Sequence, residues 1–171
     1  MIKIVHRLEW FLGLALLQAL VLNQMHIHGY AISFLYIYFI LKFHSRVGRN
    51  ELMLWAFAMG VTIDMFSDTC GINAAAATCL AFFRTPILRL VTLRDLDEGF
   101  RPGIKSLGFS AFFRYTLLTS SLFCFVLLLI DAFSFSNILV LSLKIISSII
   151  STILCIICAE LIGGKKGEKR L

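Results

Sequence analysis

Six apolar runs follow one another along this chain, and the connectors between them are short. A helix needs about 20 apolar residues to cross the hydrocarbon of a bilayer, and fewer where the bilayer thins. The runs cover residues 5–22, 30–43, 52–66, 74–91, 109–130 and 135–162. Backbone in lipid must satisfy its own hydrogen bonds, so segments of this kind fold as helices. The second to fourth runs are short for a full crossing, which implies tilt, thinning or burial among neighbours. The expected fold is therefore an all-α integral membrane protein, a single bundle of six transmembrane helices forming one domain over residues 1–171. Composition agrees, with 59% hydrophobic residues and a mean hydropathy of +0.89, far beyond a soluble domain.

The cations sort the connectors into two sets. Lys3 and Arg7, then Lys42, Arg46 and Arg49, then the stretch from Arg84 to Lys105, and finally Lys165, Lys166, Lys169 and Arg170 fall on one side. The connectors 23–28, 67–73 and 131–134 fall on the other and hold neither lysine nor arginine. The positive-inside rule then puts both termini in the cytoplasm. The net charge of +6 reads as a topology signal, and no nucleic-acid partner is expected. No small-residue cleavage site follows the first apolar run, so it reads as a retained span. The connector 92–108 reads as a solvated loop of mixed charge.

Chemistry-bearing residues are few. Asp64 lies in the third apolar run, where a carboxylate is expensive and marks a candidate site. Its simplest role is to cap the turn into the fourth run. Lys144, in the outer half of the last run, is close enough in depth to pair with Asp64, although snorkelling explains it equally. Arg84 and Arg89 flank Pro86 and read as cytoplasmic-interface residues, with a reach toward a partner as the alternative. Ala74, Ala75, Ala76 and Ala77 open the fourth run. Small residues let helices approach closely, so these four, with Arg84 and Arg89, form a candidate partner interface. Thr119, Ser120 and Ser121, and Ser147, Ser148 and Ser151, add mildly polar faces of the same kind. His26 and His28 lack the further ligands a metal needs. Cys155 and Cys158 form a CxxC inside an apolar run with no second pair, and read as packing residues. There is no phosphate loop, nucleophile elbow or catalytic triad. Neither an enzyme nor a cofactor is expected.

The stretch from Gly60 through Asp64, Ser67, Asp68 and Gly71 to Ala76 resembles the signature of the rod shape-determining membrane protein MreD family. The resemblance extends to the length, the short-looped spans and the arginine-rich end of the fourth run. It departs at Asp68, where members carry glycine. The resemblance implies a bundle similar in architecture to substrate-capture subunits of energy-coupling-factor transporters. It implies a non-enzymatic adaptor of the peptidoglycan elongation machinery in the bacterial cytoplasmic membrane. The implied partner is an MreC-like bitopic protein, and through it an MreB-like cytoskeleton, a RodA-type glycosyltransferase and a class B penicillin-binding protein. Asp64, Ser67 and Gly71 match its motif. The alternative is a substrate-capture subunit for a vitamin-type transporter. A polar pocket lined by Asp64, Asn73 or Lys144 would favour transport, and a lateral groove of small residues would favour the adaptor.

Overall fold

The computed structural model describes residues 2–22, 33–92, 99–131 and 138–166. The expectations for His26, His28, Lys169 and Arg170, and for residues 93–98 of the mixed-charge connector, lie outside them. The described residues form helices joined by turns and loops, without a strand: α1 (Ile2–Leu17, continued by a π turn, Gln18–Leu22), α2 (Ile37–Leu41), α3 (Arg49–Ser67), α4 (Ile72–Val91), α5 (Ile104–Leu107), α6 (Phe109–Asp131) and α7 (Ile138–Lys166). Ile72–Val91, Phe109–Leu127 and Ser142–Ile162 are long and apolar enough to cross a membrane. The apolar stretch Leu8–Leu20 is shorter. At 19 residues α3 also has crossing length, with Arg49 and Glu51 in its first turn.

The second run corrects its expectation. No helix of crossing length forms over the described part of 30–43; α2 has only 5 residues, all buried. The backbone before it is irregular and is satisfied by side chains from distant elements. Gln18 Nε2 donates to the Ser33 carbonyl at 2.8 Å, and Gln18 Oε1 accepts from the Leu35 N–H at 2.9 Å. The Phe34 N–H donates to Thr152 Oγ1 at 3.1 Å, and the hydroxyls of Ser33 and Ser151 meet. Non-helical backbone at membrane depth is tolerated where protein buries it in this way. Residues 34–41 and Phe43 supply much of the apolar core, with Phe11, Phe39, Phe43 and Trp55 in edge-on or tilted ring contacts.

α4 is the central helix, packed on α3 to one side and α6 to the other, with α7 against α6. At the α3–α4 crossing the backbones nearly touch. A Cβ added to Gly60 would lie 2.3 Å from the Ala74 Cα and 2.7 Å from the Asn73 carbonyl oxygen. Two left-handed residues turn the chain between them, Asp68 (φ 53°) and Gly71 (φ 81°). Asp68 is thus the sort of non-glycine residue that enters this region at least cost. The Asp68 N–H closes α3 on the Asp64 carbonyl.

At the opposite end, Glu160 of α7 gathers the chain. It accepts from the Tyr38 hydroxyl at 2.6 Å, from Lys42 Nζ at 2.7 and 2.8 Å and from the Ile104 N–H at 3.2 Å. Ser45 and Phe100 tie the neighbouring loops through two hydrogen bonds.

Candidate functional site

Asp64 holds the turn between α3 and α4. Gly71 occupies the N-cap of α4 and has no side chain with which to cap. The first N–H groups of a helix need acceptors, and Asp64 supplies them from the neighbouring helix. Its Oδ1 accepts from the Asn73 N–H at 3.0 Å, from Asn73 Nδ2 at 2.9 Å and from the Thr69 hydroxyl. Its Oδ2 accepts from the Ala74 N–H at 2.9 Å. A carboxylate also suits the positive end of the α4 dipole. Asn73 is saturated in turn: Nδ2 reaches Thr69 Oγ1 at 3.2 Å and Oδ1 accepts from the Tyr36 hydroxyl at 3.0 Å. The oxygens of Asp64 are therefore committed to the fold, and Asp64 and Asn73 are both buried. Ser67 ends α3, and Asp68 is exposed. Lys144 is partly exposed on α7 and is not among the partners of Asp64.

The candidate partner interface needs correction. Ala76 and Ala77 are fully buried and Ala74 nearly so. Their side chains fill the bundle because α4 is enclosed by α3 and α6. Arg84 is the largest fully buried side chain, at 1% exposure, and does not lie at an interface. It donates to the carbonyls of Leu41, the last residue of α2, and of Phe43 just beyond it; a cation suits that end of a helix. Thr119, Ser120 and Ser148 are buried too, so half of the polar stripe residues on α6 and α7 face inward. Ala75 and Arg89 remain exposed.

Ala75 lies in a lateral groove of about 580 Å³ between α3 and α4. Met53, Phe57 and Val61 form the α3 wall, one turn apart. Gly71, Ala74, Ala75, Thr78, Cys79 and Phe82 form the floor and the α4 wall. The groove follows from the Gly60–Ala74 contact: small residues bring the two helices together, and the larger Phe57 and Phe82 stand up on either side. No group of three or more metal-ligating side chains occurs among the described residues.

Several residues here escaped the sequence reading. Glu160 carries the same signal as Asp64, an acid within an apolar run, and Gln18 carries a weaker version of it. Tyr36 has no such signal. Compared with family models, curated proteins and solved structures, the chain matches none.

Proposed function

We propose that this protein is a non-enzymatic adaptor of the MreD type in the bacterial cytoplasmic membrane, a six-span bundle whose α3–α4 groove holds the transmembrane helix of an MreC-like bitopic protein. Through that partner it belongs with an MreB-like cytoskeleton, a RodA-type glycosyltransferase and a class B penicillin-binding protein. The observation that carries the reading is the apolar groove with a floor of Gly71, Ala74, Ala75 and Thr78. Helix association in lipid rests on close packing over small residues and on interhelical hydrogen bonds, each worth on the order of 1 kcal/mol. The four hydrogen bonds that Asp64 accepts support it further, since they engage the hairpin carboxylate chiefly in holding the turn.

The substrate-capture reading draws on the irregular backbone at 33–36, because transporters bind substrate at broken helices. Here Gln18 and Thr152 occupy those backbone groups, which weighs against it.

Bulk in the groove tests the adaptor. Ala75→Trp should release the MreC-like protein from mild-detergent extracts, whereas Leu90→Trp, at an exposed α4 position outside the groove, should retain it. Both variants should elute as folded protein. Retention by Ala75→Trp, with tight binding of a small molecule by the purified chain, would give the function to transport.

A further inference from the structure

We propose that Arg84 and Tyr115 hold a small monovalent anion, of the halide class, inside the bundle where α4 packs on α6. Such a site stands whether the protein is an adaptor or a transporter.

An arginine keeps its charge in a protein, and a buried charge is costly unless it is paired. Arg84 is 1% exposed and Tyr115 0%. No carboxylate among the described residues pairs with Arg84. Both carbonyls that it reaches, those of Leu41 and Phe43, are bound through the same nitrogen, Nη2. They meet two hydrogen bonds with partial charges and leave the unit charge uncompensated. The Arg84 Nε–H is buried and has no acceptor among the described residues. The Tyr115 hydroxyl is also buried without a partner there, and it lies within the electrostatic reach of the guanidinium.

The two side chains are level in the bundle. Arg84 stands about 10 Å along α4 from Val91, and Tyr115 about 9 Å along α6 from Phe109, and residues 92–108 join those two helix ends. Thr116 and Ser120, one turn apart on α6, add two further buried hydroxyls without partners. Thr119 between them differs, because it donates to the Tyr115 carbonyl at 2.7 Å. The groups left over at this level are therefore N–H and O–H donors beside a net positive charge.

That set excludes a metal cation and selects an acceptor. Water would answer the donors but would leave the charge of Arg84 unbalanced. A phosphate brings four oxygens and up to two charges, more than one guanidinium edge and a phenol can satisfy. A halide carries one charge, has no directional demand and fits an enclosed position. Bound there, it neutralises Arg84 while Nη2 goes on holding Leu41 and Phe43, and so braces the broken segment 33–43 against α4 and α6.

The test is chloride binding by the purified full-length protein in detergent, with gluconate replacing chloride at constant ionic strength. Equilibrium dialysis against radiolabelled chloride should show saturable binding to a single site per chain, and the thermal midpoint should rise as the site fills. Tyr115→Phe removes one donor and should weaken binding about tenfold. In gluconate the same variant should match or exceed the thermal midpoint of the parent, since the hydroxyl it removes is buried and unsatisfied. A lower midpoint there would give that hydroxyl to the fold and overturn the assignment. Arg84→Gln should abolish binding; if it does not fold, Tyr115→Phe decides alone. Arg49→Gln, which removes an exposed cation, should bind chloride as the parent does. No saturable binding by the parent, with water alone meeting these donors, overturns the proposal. So does binding that Tyr115→Phe leaves unchanged, or that Arg49→Gln reduces equally, which would mark adventitious surface binding only.

Discussion

Asp64 accepts four hydrogen bonds, all within the α3–α4 hairpin. Two of the donors are N–H groups of the first turn of α4, which water cannot reach at a buried site. Removing the acceptor therefore leaves several orphaned donors, and each costs about 1–3 kcal/mol. Leucine in its place removes every acceptor. Asparagine keeps one oxygen but points its amide at a donor. Asp64→Leu should destabilise the protein by about 3–5 kcal/mol and Asp64→Asn by about 1–2 kcal/mol, with the charge-assisted part lost in both. Thermal unfolding of the purified variants in one detergent measures the order. Equal loss of function by both variants, in protein that stays folded and partner-bound, would instead assign Asp64 a charge-dependent role.

At the scale of elements, the Gly60–Ala74 contact sets the spacing of α3 and α4, and the groove and the Asp64 cap both depend on it. A Cβ at Gly60 meets backbone, not a flexible side chain, so the helices must separate. Gly60→Ala should cost about 1–3 kcal/mol, as overpacking does, and should loosen the hairpin. Gly13 in α1 has nothing within 4 Å of its added Cβ. Gly13→Ala should leave stability unchanged or raise it by up to about 1 kcal/mol through helix propensity. Hydrogen exchange of the Asn73 and Ala74 amides measures the difference: faster with Gly60→Ala, unchanged with Gly13→Ala. Much of this hairpin was legible in sequence, because Asp64, Gly71 and the alanines each break a local pattern in a way that has one cheap explanation. Residues 33–36 were not legible. Their apolar composition is that of a helix, and what stops the helix is hydrogen bonding from Gln18, Ser151 and Thr152, far away in the chain. Arg84 misled for a related reason: its place near the end of an apolar run suggests an interface, but its guanidinium is held by the carbonyls of Leu41 and Phe43, far away in the chain. Glu160 is legible in principle as an acid within an apolar run, but it stands five residues before Lys165 and Lys166, where an acid also fits a solvated helix end.

For the whole molecule, the contacts between distant segments give each helix a direction. Gln18 meets Ser33 and Leu35, while Trp10 and Phe11 meet Tyr38 and Phe39, so residues 33–41 run back along α1. The start of α1 then shares an end of the bundle with Lys42 and the loop to Arg49. Ser45 brings Phe100 to that end, and Glu160 brings Ile104 and α7. The exposed cations Arg46, Arg49, Arg89, Arg101, Lys105 and Arg114 lie on the elements that meet there, and the hairpin 67–73 at the far end has none. From this asymmetry and the positive-inside rule we propose that the basic end faces the cytoplasm. With the native cysteines removed, single cysteines at positions 26, 70 and 133 should react with an impermeant maleimide added to intact cells. Those at 47, 98 and 167 should react only after the membrane is opened. Positions 26 and 47 together decide whether the broken segment at 33–43 crosses the bilayer. If it does cross, the two lie on opposite sides, because that segment alone separates them. Labelling of 47 from outside would make that segment re-entrant, and would reverse α3 and every helix after it.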